Sequence, residues 1–193
     1  MPADAPSPKV SELILVRHAP ADHGGRLCGR IDPPLAPIAE APLAPVRAAL
    51  AGGGAWYASP ALRCRQTAER LGGPAPVLDA RLWEQDFGRH DGLRFEEIPD
   101  LGPLSRAELA ARRPPGGESF AEAAARIAPA LEEIAGAGPR AVVVAHAGTV
   151  RAALAVVTGA PAALAFEIAP LSLTRLRRIG GAWSISCVNW VAP

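Results

Sequence analysis

Apolar residues along this chain fall into two patterns, short unbroken runs and longer stretches at helical spacing, and the two alternate. Leu13-Ile14-Leu15-Val16 is four consecutive branched apolar residues, as expected of a strand buried on both faces in a parallel sheet. Ala55-Trp56-Tyr57-Ala58 predicts a second buried strand, stopped by Ser59-Pro60, and Ala141-Val142-Val143-Val144-Ala145 is the clearest strand of the chain. Helical spacing occurs over 62–71, where Leu62, Ala68 and Leu71 share a face and Gly72-Gly73 end it. It is strongest over 119–134, despite Pro129. There Phe120, Ala123, Ala124, Ile127, Leu131 and Ile134 recur on one side, and Ser119 with Glu122 has capping-box spacing. Shorter helices are predicted over 46–50, with Pro45 in the first turn, near 105–113, and over 150–158. The segments 171–179 and 183–190 flank Gly180-Gly181 and read as an antiparallel hairpin.

Strands alternating with helices imply an α/β sandwich with a mainly parallel sheet. Residues 19–36, rich in Gly and Pro, form a loop, and 84–115, without clear periodicity, form an excursion over the top of the sheet. Ligands of such sheets bind beyond the carboxyl ends of the strands. Arg17-His18, Ser59 and His146 all fall at predicted strand ends, which locates a site from pattern alone.

Composition narrows the classes. The 193 residues suit one domain, expected over 11–193 behind a disordered lead of residues 1–10. Apolar residues make up 49%, enough for a core without disulfide or metal support. With 20 basic and 19 acidic residues, the net charge of +1 argues against nucleic-acid or membrane-surface partners but leaves room for a local positive pocket. Cys28, Cys64 and Cys187 are too scattered for a disulfide framework or a CxxC zinc site. No run approaches the roughly 18 apolar residues of a membrane span, so a cytoplasmic location is expected.

A phosphate dianion calls for guanidinium forks, a nucleophile in line with the ester oxygen, and a proton for the departing alkoxide. Arg17 and Arg63 supply candidate forks, and His18 a candidate nucleophile whose neutral form nearby guanidinium charge should favour. Two rival chemistries are weaker. Cys64 to Arg70 has Cys-x5-Arg spacing, but the residues between, Arg-Gln-Thr-Ala-Glu, form a helix-prone run without glycine. A metal site would draw on His18, His23, His90 and His146 with Asp22 or Asp32; no HExxH spacing is present, and the arginines would go unexplained.

The ordered blocks LILVRHAP, WYASPALRCRQTAERL, LWEQDFGRHDGL, GGESF and VVVAHAGTVRAAL resemble the histidine phosphatase superfamily, the branch containing phosphoglycerate mutases. The resemblance implies a three-layer α/β/α sandwich with a mainly parallel sheet and an antiparallel edge, and a phosphatase needing no cofactor. It also implies roles. His18 becomes the phosphohistidine, Arg17, Arg63 and His146 bind the phosphoryl oxygens, and Glu84 protonates the leaving oxygen and then activates water. Ala147 and Arg30 join the expected substrate contacts. Two positions depart from the family: Ala19 replaces a glycine yet can still present its amide, and Gly24 replaces a phosphate-binding Asn, for which the 26–30 loop is the expected substitute. Only 61 residues separate Glu84 from His146, a compact lid that favours hydrolysis over the alternatives, a mutase-type phosphotransferase or an inactive phospho-ligand binder. LCGRIDPPL resembles α-ribazole phosphatase-like members, with Arg26, Arg30 and Asp32 either reaching the leaving group or ordering the loop. The expected partner is a small-molecule phosphate ester, and the expected state is a monomer or homodimer.

Overall fold

The unbroken apolar runs form the middle of one sheet. A computed structural model describes residues 10–192. The strands β1 (Val10–Arg17), β2 (Ala55–Ala58), β3 (Val77–Leu78), β4 (Arg140–Ala145), β5 (Leu173–Ile179) and β6 (Ala182–Trp190) lie in the order β3-β2-β4-β1-β5-β6. The first four in that order are mutually parallel, and β5 and β6 run antiparallel, so the sheet is mainly parallel with an antiparallel edge.

Alternation of side chains along a strand feeds two cores. Leu13 and Leu15 of β1, with Val143 of β4, pack against α4 (Phe120–Ala137) and α5 (Ala147–Thr158), flanked by α3 (Arg106–Ala111) and α6 (Ala160–Ala163). Ile14 and Val16, with Val142 and Val144, pack on the other face against α1 (Leu43–Leu50) and α2 (Leu62–Arg70). All of these strand residues are at most 1% exposed, so truncating one to Ala is expected to cost about 2–5 kcal/mol. The layers are therefore helices, sheet, helices.

Ser119 and Glu122 make the anticipated capping box at the start of α4, and Ser105 with Glu108 does the same for α3. Gly180 and Gly181, both at positive φ, turn the β5–β6 hairpin, as a two-residue turn requires. Several boundaries differ from expectation. Val10, assigned to the lead, begins β1; residues 1–9 of that lead lie outside the described residues. The first helix starts at Leu43 rather than 46. Pro42 sits at its N-cap and Pro45 in its first turn, where a missing N–H leaves no helical bond unmade. The fifth starts at Ala147 rather than 150, because His146 is extended and the chain turns helical immediately after it. Two elements have no signal: β3 is two residues with Val77 and Leu78 exposed, and α6 is a single turn. The 84–115 excursion carries α3 and two short 3-10 turns, Gly88–His90 and Phe95–Glu97. Among the described residues no helix is long and apolar enough to cross a membrane.

Candidate active site

Strand register brings the chemistry together. Arg17 pairs with Ala145 across β1–β4, and Ala58 pairs with Val144 across β2–β4, so His18, His146 and Ser59 leave neighbouring strands at nearly one level. Backbone bonds continue the ladder past the strand ends, from the His18 N–H to the Ala145 carbonyl at 2.8 Å and from the Ser59 N–H to the Val144 carbonyl at 3.0 Å. The His18 and His146 rings stand 5.3 Å apart, edge to face.

His18 Nδ1 lies 2.7 Å from the Ala19 carbonyl oxygen. A carbonyl only accepts, so Nδ1 carries the proton and the lone pair is on Nε2. The imidazole is pushed down to about 3, chiefly by burial; the Ala19 carbonyl works against this, and the Arg63 and Arg17 charges add to it. The ring is a neutral base with a fixed tautomer.

Arg63, on α2, is 1% exposed. Burial of a cation is costly unless its donors are met. Nη1 donates to the Ile31 carbonyl (3.1 Å) and Asp32 Oδ1 (3.3 Å), and Nη2 to the carbonyls of Cys28 (3.1 Å) and Gly29 (3.3 Å). It thereby folds the 28–32 loop around itself, and Asp32 also accepts the Leu62 amide at the start of α2. Asp32 orders the loop. Arg17 is less encumbered: Nη1 donates to the Ile168 carbonyl at 2.5 Å, while the buried Nε has no partner among the described residues.

His146 is fully buried and its ring stacks on Trp83, with 9° between the planes. Its Nε2 lies 2.8 Å from Ser59 Oγ, and burial with the Arg63 charge holds its basicity well below the usual range. Cys64 Sγ approaches the same ring at 3.5 Å. That thiol is fully buried in a helix, which pushes its pKa up, and Arg70 turns away to the Ile38 carbonyl. The Cys-x5-Arg spacing therefore makes no phosphate loop.

Glu84 sits at the N-terminus of α5. Its Oε2 accepts the Gly148 amide at 3.2 Å and its Oε1 the Gln85 amide at 2.9 Å, a favourable end for a carboxylate. A Cβ at position 148 would overlap that carboxylate, so glycine lets Glu84 rest where it does and a larger residue would push its side chain aside. Arg126 of α4 reaches the same segment, donating to the carbonyls of Arg81 (2.6 Å), Trp83 (3.2 Å) and Glu84 (3.3 Å) while paired with Glu118.

Arg17, His18, Arg63 and Glu84 thus line one cleft of about 190 Å³, joined by His23, Arg26 and Phe87. His146 lies directly behind His18. Two expected contacts are placed elsewhere. The Arg30 guanidinium lies over Trp83, 5.6 Å from the ring, and pairs with Asp86 and Glu118, and Ala147 packs against the α4–α5 core. The Ala19 amide, expected to face phosphate, is buried and donates to Thr67 Oγ1 at 3.0 Å. Gly24 is exposed at positive φ, and of the 26–30 loop Arg26 and Cys28 reach the cleft wall along with Leu27. Sequence reasoning missed Gly148, Trp83 and Arg126. Gly148 alone had a signal, its place two residues after a strand-end histidine. Among the described residues no three His, Cys, Asp or Glu side chains cluster closely enough to hold a metal ion.

Comparison with known proteins adds to this geometry. A search of curated proteins finds no match. Among solved structures, TTHB049 from Thermus thermophilus is 31% identical, with TM-score 0.70, over 86% of this chain and 92% of that one. A mycobacterial glucosyl-3-phosphoglycerate phosphatase, solved with VO3, is 26% identical, with TM-score 0.80, over 93% and 98%. A structure described as mycobacterial hydrolase 1 has the same fold, with TM-score 0.82 and 24% identity over 95% and 100%. The family model of the histidine phosphatase superfamily, branch 1, matches residues 13–191. With that match spanning nearly all of its length, the chain belongs to the histidine phosphatase superfamily.

Proposed function

We propose that this protein hydrolyses a small-molecule phosphate monoester through a phosphohistidine on His18. The observation that carries the reading is the fixed tautomer, with Nδ1 committed to the Ala19 carbonyl and the lone pair left on Nε2, on a ring that lines one cleft with Arg17 and Arg63. Family membership and the phosphatase relative support it at the level of reaction class.

In the first half-reaction Nε2 attacks phosphorus, the ester P–O bond breaks, and Glu84, driven to its acid form by the phosphate dianion bound beside it, gives its proton to the departing oxygen, releasing the alcohol. The Nδ1–H to carbonyl bond supports the positive charge that develops on the ring. In the second, Glu84 as carboxylate takes a proton from water, the water oxygen attacks phosphorus, and the N–P bond breaks. Phosphate leaves, and both His18 and Glu84 regain their starting forms. The buried Arg17 Nε, which has no partner among the described residues, is the free donor we assign to a phosphoryl oxygen. His146 stands behind the nucleophile, positioned by Ser59 and Trp83. α-Ribazole 5′-phosphate and a glycerate-type phosphate are the first substrates to screen, the former from LCGRIDPPL and the latter from the similar phosphatase.

The test is phosphate release from aryl phosphates of graded leaving group. Glu84→Gln is expected to slow the poorest leaving group by about 10²-fold or more while sparing the best, because only a poor one needs the proton. Equal slowing across the series contradicts the acid role. Chelators are expected to leave turnover intact, and vanadate to inhibit it.

A further inference from the structure

Behind the roof of the cleft lies a larger cavity of about 400 Å³, within the range of small-molecule sites. It shares Leu27 and Phe87 with the catalytic cleft, and its lining includes Gln85, the neighbour of Glu84. Because Leu27 and Phe87 form a wall of both, the leaving side of an ester bound in the cleft borders this cavity. Its walls are apolar, from Ile98, Leu101, Leu109 and Phe120, and no acidic side chain lines it. Arg112 and Arg151 do, and neither belongs to an ion pair among the described residues. Arg151 is anchored through Nε to the Phe166 carbonyl at 2.9 Å, which leaves its terminal nitrogens for a ligand.

Apolar walls with two uncompensated guanidinium groups define a ligand by complementarity. Resting on the phosphatase reading above, we infer that the leaving group is an apolar, ring-sized body bearing a second anion, carboxylate or phosphate, bound by Arg112 and Arg151. A neutral polyol would leave the apolar walls unmatched, and a neutral hydrocarbon would leave the half-buried Arg151 guanidinium without a counter-charge and make no use of Arg112 at the rim.

Four esters test this: phenyl phosphate, 2-naphthyl phosphate, and 2-naphthyl phosphates carrying a 6-carboxylate or a 6-phosphonate. In the wild type KM is expected to fall in the order phenyl, naphthyl, anionic naphthyl, and the two anionic esters distinguish the sources of charge. Arg112→Ala, at an exposed position outside the catalytic machinery, is expected to raise KM for the anionic esters about tenfold, the loss of one charge-assisted hydrogen bond, and to leave phenyl phosphate unchanged. Leu101→Trp, which fills the cavity, is expected to raise KM for all naphthyl esters alone. Equal KM values across the wild-type series, or an Arg112 effect shared by phenyl phosphate, overturns the inference. Calorimetric binding of 6-carboxy-2-naphthol separates the two readings. Binding that depends on Arg112, with no ester turned over, defeats the phosphatase reading and keeps the cavity assignment. Turnover of phenyl phosphate with no naphthol binding does the reverse.

Discussion

At the strand ends and the start of α2, Ser59, Arg63 and His146 are at most 1% exposed, whereas across the cleft Phe95 is 54% exposed and Leu109, in the neighbouring cavity, 39%. The two regions are also held differently. Parallel strands fix the floor through backbone bonds, and a shift of one residue in register would move every group of the site at once. Carboxylates and a few short turns hold the roof. Asp91 alone accepts the amides of Gly29, Arg30 and Ile31, and Glu118 accepts the Asp86 amide while pairing with Arg126. The contrast teaches where each function belongs. Bond-making groups sit on the rigid side, and recognition sits where side chains, rather than backbone, set the shape.

Mutations on the two sides should therefore fail differently. On the floor, His18→Ala is expected to lower kcat on the order of 10⁴-fold or more with the fold retained, read by phosphate release and circular dichroism. At the junction of floor and roof, Gly148→Ala is expected to displace Glu84 and lower kcat/KM about 10²-fold, as misplacement by an ångström does. Alanine suits a helix better than glycine, so its thermal midpoint should not fall; a fall matching the activity loss would mean simple destabilisation. On the roof, Asp91→Ala removes the acceptor for three amides and is expected to raise KM roughly tenfold with a smaller effect on kcat, at a cost of about 1–3 kcal/mol. If kcat falls as far as for a floor residue, the division of labour is wrong.

The smallest effect is one of pH. His18 and His146 are held neutral in the fold, with basicity below the ordinary value near 6.5. Above that value both states are neutral and nothing is lost. As pH falls from 6.5 toward about 3, the unfolded chain binds protons that the folded one does not, and stability drops. The slope approaches about 1.4 kcal/mol per pH unit for each such histidine. Denaturant unfolding of wild type and His18→Gln between pH 7 and 5 measures it. A flat wild-type profile, or equal slopes, contradicts the burial argument.

The sequence was most readable where one force dominates. Runs such as Leu13–Val16 and Ala141–Ala145 have no alternative to full burial, so their strand ends, and hence His18 and His146, were placed by pattern alone. Arg30 and the Ala19 amide went elsewhere because local partners compete for the same donors: Trp83, Asp86 and Glu118 for one, Thr67 for the other. Such competition depends on loop geometry that no periodicity records. Arg126 was illegible for the same reason, a long side chain on a polar helix face whose three carbonyl partners lie more than forty residues away.

The central claim is a covalent phosphohistidine at position 18. Rapid acid-free quenching of the protein during turnover of a phosphoryl-labelled aryl phosphate, followed by peptide mapping, tests it directly. The label is expected to be stable to alkali, labile to acid, and confined to the peptide containing His18. Label on Ser59 or Cys64, or full turnover with no labelled protein at any time, would contradict the mechanism.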